Sequence, residues 1–252
     1  MQNTLSVILL FAFRFERLYF AGSKGKILWS FINPLLLAFA IALVFKEIFK
    51  INGQESLLTI FSGYLLWQFI SGTIVAGHRI FLDDRSYYKQ LTGGRHLYLA
   101  GFVIFRCLLA LPGFLLLASY CWFFLSFSLF KILAFIIGVT LILIFLTGIT
   151  YLMATWTVFC PDISHGLETA MVFLLWLTLV FYTIDSIPEN WKIIGFINPV
   201  SWVMDIWRYS LGLNHYFYPL LSIPVFTGVA LSLMVFSLSY YMKHAKEMVK
   251  QL

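Results

Sequence analysis

The stretch INPVSWVMDIWRYSLG, Ile197 to Gly212, decides how many times this chain crosses a membrane. It lies between two apolar runs, so a further span here would put the C-terminal KHAKEMVKQL, residues 243–252, across the membrane from the N-terminus. The residues argue for a different role. Asn198 is a good N-cap, and Pro199 falls at the first helical position, where its missing N–H costs nothing. Ser201, Asp205, Arg208 and Gly212 then recur at spacings of four, three and four, which is one polar stripe on a helix. Trp202, Val203, Ile206, Tyr209 and Leu213 cover the remaining surface. Such a helix runs about 14 residues, or about 21 Å, too short and too polar to cross about 30 Å of hydrocarbon. It is expected in the outer interface, or dipping into the membrane and returning, with Asp205 and Arg208 placed to pair along the stripe.

Around this segment the composition is that of a membrane protein. Of 252 residues, 61% are hydrophobic and 11% charged, with a mean hydropathy of +0.90. A soluble domain carries about 25% charged residues, so disordered, collagenous and ordinary soluble classes are excluded. The net charge of +6 needs no nucleic acid, because membrane proteins keep Lys and Arg in their cytoplasmic loops. Cys107, Cys121 and Cys160 are far apart and form no C-x-x-C pair, so they are expected as small buried hydrophobes rather than disulfide or zinc ligands.

Apolar runs of about 20 residues place spans at 27–45, 57–76, 97–120, 133–159, 167–182 and 220–242. The fold expected is an all-α integral membrane protein with six transmembrane helices. Residues 1–26 form an N-terminal amphipathic helix on the cytoplasmic interface, and short re-entrant or interfacial helices precede the last span. The N-terminal run lacks the leading basic residues and small-x-small site of a signal peptide. With both ends cytoplasmic, 11 basic residues fall inside (Arg14, Arg17, Lys24, Lys26, Arg79, Arg85, Lys89, Arg95, Lys243, Lys246, Lys250) and five outside (Lys46, Lys50, Lys131, Lys192, Arg208), which satisfies the positive-inside rule. No soluble domain is expected at either end, so a driving force must come from another chain or an ion gradient.

Few residues carry chemistry. GSKGKILWS at Gly22 lacks the spacing of a phosphate-binding loop, and His165 and Glu168 lack the second histidine of a zinc protease helix. CPDISHG reads as a tight loop and helix cap. Glu168 lies at the mouth of the fifth span, Asp185 and Asp205 lie outside one, and the other spans hold no carboxylate, which counts against an ion-driven carrier. Arg106 is the ionisable residue well inside a span; it either meets an anionic substrate group or snorkels to the headgroups. The cytoplasmic loop at 79–95 contains FLDDRSYYKQL, in which Phe81, Leu82, Tyr88 and Leu91 interleave with Asp83, Asp84, Arg85 and Lys89. Folded as a short helix, it would offer a sticky face and charges of both signs to a groove on a partner.

In order, NPLLLAF at Asn33, WQFISGTIVAGHRIFLDDRSYYKQ at Trp67, CPDI at Cys160 and INPVSWVMDIWRYSLG at Ile197 resemble the membrane subunit of ABC type-2 exporters. The resemblance is to the permeases that export O-antigen, capsule and teichoic acid polysaccharides, and it covers essentially the whole chain. It implies a multi-pass protein of the cytoplasmic (inner) membrane that is not itself an enzyme. It also implies a homodimer with two copies of a separate cytoplasmic nucleotide-binding ATPase, which would carry the ATP and Mg; this chain is expected to bind no cofactor, no metal and no nucleic acid. The cargo implied is a lipid-linked glycan, moved among membrane lipids. Carried over, the ATPase-coupling residues are Arg14, Arg17, Arg79, Phe81, Asp83, Asp84, Arg85, Tyr88 and Lys89. The external gate falls at 185–215, with Asn198, Pro199, Trp202, Asp205 and Arg208. Two rivals stand beside this reading: the same kind of exporter with a drug or lipid cargo, and a membrane-embedded lipid-modifying enzyme. The first external loop, KEIFKINGQES at 46–56, is short for a drug exporter of this class.

Overall fold

The computed structural model describes residues 4–21, 25–48, 50, 54–91, 93–125, 128–182, 187–213 and 219–252. Among them the chain is helical: α1 (Thr4–Phe20), α2 (Gly25–Glu47), α3 (Gln54–Gly77), α4 (Ile80–Asp83), α5 (Arg85–Gln90), α6 (Tyr98–Phe124), α7 (Leu129–Phe159), α8 (Ile163–Leu177), α9 (Lys192–Ile197), α10 (Pro199–Leu211) and α11 (Pro219–Gln251). No strand occurs among the described residues. Residues 185, 186, 214 and 215, at the ends of the expected gate segment, lie outside them.

Four stretches among the described residues have the length and hydropathy to cross a membrane: Leu57–Gly77, Arg95–Phe124, Leu129–Phe159 and Leu221–Gln251. Their outward faces are apolar, with Phe123 and Phe130 exposed at one end and Val235 and Phe236 along α11. Inside them the hydroxyls of Thr73, Thr147, Thr150, Thr155, Thr157 and Ser237 bond carbonyls one turn back on their own helices. Hydroxyls satisfied in this way tolerate an apolar surround. α7 and α11 pack in close contact: a Cβ on Gly148 would stand 3.0 Å from the Met234 backbone nitrogen, the small-residue approach common between membrane helices.

Several expected limits shift. The last helix continues to Gln251, past the apolar run ending near 242. The 167–182 segment begins earlier, at Ile163, and its helix ends at Leu177. Thr178 turns extended, and Leu179, Val180 and Phe181 are buried beyond it. α2 and α6 are continuous through Pro34 and Pro112.

α1, expected as an amphipathic helix on the cytoplasmic interface, packs along α6. Phe11, Phe15 and Tyr19 recur every fourth residue and meet Tyr98, Phe102 and Phe105 in turn, with ring centroids 5.3, 5.4 and 5.6 Å apart. Gly101 permits the approach, since a Cβ there would stand 2.4 Å from Phe11 Cβ. The opposite face, with Leu10 and Phe13, is exposed and apolar.

α10 is the helix expected in the outer interface or dipping into the membrane. It is packed into the bundle against α7, α11 and α3, and nearly every side chain from Ser201 to Leu211 is buried. Trp207 lies between Phe114 and Phe135, at centroid distances of 4.7 and 5.4 Å. Its indole donates to the Ser62 carbonyl on α3 at 3.2 Å. Ser62, Phe135 and Phe114 stand 8, 6 and 10 residues from the nearest ends of their helices, so Trp207 sits about 9–15 Å inside that end of the bundle.

Candidate functional site

The α4–α5 loop has two faces. Phe81 and Tyr88, expected as partner contacts, are fully buried. Their rings meet at 4.6 Å, and the Tyr88 hydroxyl bonds that of Tyr241 on α11. Tyr241 in turn stands 5.2 Å from the ring of Tyr151 on α7, whose hydroxyl donates to the His96 carbonyl. Asp84 also faces inward. The Arg14 guanidinium makes an ion pair with its carboxylate, with a second bond from Nη2 at 2.9 Å. The Tyr98 hydroxyl donates to the same carboxylate and accepts from Arg14 at 2.9 Å. Arg14 also lies over the Tyr87 ring at 3.5 Å. Burial works against the Arg14 charge, but the hydrogen bond and charge of Asp84 more than offset it, so the guanidinium is held above its ordinary pKa. A charge-assisted, partly buried contact of this kind contributes about 1.5–3 kcal/mol. It clasps α1, the loop and α6 together.

The outward face keeps its charges exposed. Arg79, Asp83, Arg85 and Lys89 are exposed, as is Arg17 on α1. Arg79 and Asp83 approach to 3.7 Å one turn apart, both more than half exposed, a surface pair worth little. The expected coupling set therefore divides: Arg17, Arg79, Asp83, Arg85 and Lys89 are accessible, while Arg14, Phe81, Asp84 and Tyr88 hold the loop in place.

At the other end, the Asn198 side chain accepts from the Val200 N–H at 3.0 Å, and Pro199 opens α10 as expected. The Asn198 amide also donates to the Thr178 hydroxyl at 2.8 Å, tying α10 to the break after α8. Gly212 closes α10 in the left-handed region (φ 76°), with its N–H on the Tyr209 carbonyl and that of Leu213 on Arg208. This is a Schellman stop that suits glycine. The polar stripe does not face water: Ser201, Asp205 and Arg208 are 0, 4 and 2% exposed. The hydrogen bonds of Arg208 run to the carbonyls of Leu179 (2.6 Å), Val180 (3.1 Å) and Tyr182 (3.4 Å), not to Asp205. A broken helix end leaves carbonyls unsatisfied, and Arg208 supplies these with donors. Trp202, half-buried, donates to the Phe196 carbonyl at 2.9 Å, bracing α9.

Arg106 lines a cavity of about 380 Å³ between α1, α2, α3 and α6. Asn33 and Pro34, from NPLLLAF, share it with Tyr19, Trp29 and Gln68. The guanidinium lies against Gly72, where a Cβ would be 2.7 Å from Nη2. Its Nε is shut off from solvent with no hydrogen-bond partner.

Smaller expectations near α8 change. Asp162 precedes the helix without a side-chain capping bond. Cys160 is exposed, whereas Cys107 and Cys121 are buried, and all three are free thiols. Sequence reasoning missed Tyr98 and Tyr241 in the loop anchor, since Tyr241 is 153 positions from Tyr88 and no local pattern links them. It also missed Gly63, whose added Cβ would stand 2.3 Å from the Val180 carbonyl oxygen. No group of three or more metal-ligating side chains occurs among the described residues.

Two O-antigen export system permease proteins, both named RfbA, from Klebsiella pneumoniae are similar to the chain. One is 23% identical over 223 residues, covering 86% of this chain and 84% of its own length. The other is 24% identical over 212 residues, covering 82% and 80%. The family model described as ABC-2 type transporter matches residues 7–212, from α1 through the Gly212 stop of α10. The chain is an integral membrane permease subunit and belongs to the ABC-2 type transporter family.

Proposed function

We propose that this chain is the channel-forming subunit of an ATP-driven exporter that moves a lipid-linked polysaccharide, O-antigen, across the inner membrane. It would act as a homodimer on two copies of a cytoplasmic nucleotide-binding ATPase, which bind ATP and Mg. The observation that carries this reading is the α4–α5 loop. Its inner face is anchored by Asp84, Phe81 and Tyr88, and its outer face presents Arg79, Asp83, Arg85 and Lys89. A rigidly held element with exposed charges of both signs is suited to receive force from a partner. The cargo assignment is supported by the similarity to two O-antigen export permeases and by the short first external loop.

In this reading α2, α3, α6, α7, α8 and α11 make six crossings with both termini cytoplasmic. The 23 residues of α2 extend about 35 Å, and α8 is continued by the buried turn at Leu179–Phe181. α9 and α10 form the external gate. The test is co-purification of the full chain with the ATPase encoded beside it. Arg85→Glu with Lys89→Glu is expected to lower ATPase recovery about tenfold, equivalent to about 1.4 kcal/mol, with the melting temperature unchanged. A chain that exports without any ATPase partner would overturn the reading.

A further inference from the structure

The cavity holding Arg106 has two halves of different chemistry. Asn33, Gln68 and Arg106 make a polar patch, and Leu37, Leu109 and Phe114 make an apolar wall. Arg106 makes no hydrogen bond or ion pair among the described residues, and its Nε is buried without an acceptor. A guanidinium kept in an apolar surround without a carboxylate is costly. An anion from outside the chain would supply what the fold does not.

The depth of the cavity says what kind of anion. Arg106 is eight residues into α6, which alone suggests a position well within the hydrocarbon. α1 runs beside those first turns, however, and Tyr19, near its end, lines the same cavity. Trp29, only four residues into α2 and 59% exposed, lines it too. The guanidinium therefore stands where α1 ends and α2 begins, flanked by two amphipathic aromatics of the kind that mark the headgroup level. This resolves the choice between a mid-span cation and an interfacial one. A volume of about 380 Å³ lies within the range of small-molecule sites.

We infer that this cavity binds the phosphate ester of a lipid, with the phosphoryl oxygens on the Arg106 guanidinium and the start of the hydrocarbon tail along Leu37 and Leu109. The planar fork of arginine matches phosphate oxygens in pairs, which a lysine does not. The inference deepens the export reading and rests on it in one respect: the phosphate belongs either to the transported lipid-linked cargo or to a bilayer phospholipid held as a fixed component. The chemistry at Arg106 is the same for both.

The test uses the full chain in neutral detergent with four probes: farnesyl diphosphate, farnesol, phosphatidylglycerol and diacylglycerol. Binding is read by thermophoresis and by the shift in melting temperature. Farnesyl diphosphate is expected to bind and farnesol not to. Arg106→Gln should weaken that binding by about tenfold or more, and Arg106→Lys by less, since it keeps the charge without the fork. Gly72→Ala, which displaces the guanidinium, should weaken it roughly threefold while the chain stays folded. Equal binding of phosphatidylglycerol and farnesyl diphosphate assigns the site to a phosphorylated lipid in general. Preference for the diphosphate assigns it to the cargo. If the phosphate-bearing probes bind no better than their alcohols, or Arg106→Gln and Gly72→Ala leave binding unchanged, the inference fails. Failure of ATPase co-purification would remove the export reading without altering these binding results, so the two are separable.

Discussion

Arg208 donates to three carbonyls of the chain beyond α8, and its effect is felt there more than at Asp205. Arg208→Met would leave those carbonyls buried without donors, at about 1–3 kcal/mol for each group not rescued by water. The expected outcome is a lower melting temperature together with faster proteolysis after Leu177; unchanged values for both would refute the clasp. Gly63 makes the matching contact from the other side. Gly63→Ala puts a methyl 2.3 Å from the Val180 carbonyl oxygen, so backbone must move, and a cost of about 1–3 kcal/mol is expected in thermal unfolding. Tyr88 gives a pH signature. Burial raises its pKa above 10.0, although the bond from Tyr241 and the charge of Arg95 pull the other way. A pKa raised in the folded state means stability is full below the unfolded value and falls as pH rises through it. Melting temperature is therefore expected to drop above about pH 10, and Tyr88→Phe should make that drop shallower.

At the scale of elements, the clasp of Arg14, Asp84 and Tyr98 separates two roles within one loop. Asp84→Arg should unseat α1 and lower stability as well as ATPase recovery. Combining it with Arg14→Asp should restore part of both, because residues in one ion-pair network are coupled by about 0.5–3 kcal/mol. Arg85→Glu, on the outer face, should affect ATPase recovery alone. If Asp84→Arg proved as mild in thermal unfolding as Arg85→Glu, the division of the loop into two faces would be wrong. α10 shows the same division in reverse. Its stripe was legible from the spacing of Ser201, Asp205 and Arg208, but the partner of that stripe was not. A polar stripe ordinarily points to water; here its arginine, Arg208, points to the carbonyls left by the end of α8.

For the whole molecule, the free and exposed Cys160 reports topology without any substitution. With six crossings and cytoplasmic termini, the α7–α8 turn is cytoplasmic. A membrane-impermeant maleimide should then label Cys160 in inverted vesicles and not in intact spheroplasts; the reverse pattern would exclude the topology. The proposed gate role of α10 is tested by export. Asp205→Asn should impair surface delivery of the glycan while leaving ATPase recovery unchanged, and loss of the complex instead would argue that α10 serves assembly.

Apolar run length, Lys and Arg placement and the Asn198-Pro199 start are local properties of the chain, and the sequence by itself determined the helices, their approximate limits and the amphipathic character of α1 and α10. Helix formation in an apolar surround follows from backbone hydrogen bonding, which needs no distant residue. The tertiary structure decided which face of each amphipathic helix is buried, and against what. Asp84 meets Arg14 across 70 positions, and Arg208 meets Leu179 across 29. It also placed Arg106 beside Tyr19 and Trp29, because the surroundings of a residue depend on which helices stand beside it. Packing of distant segments sets these outcomes, and a spacing pattern on one segment holds no record of the surface it will meet.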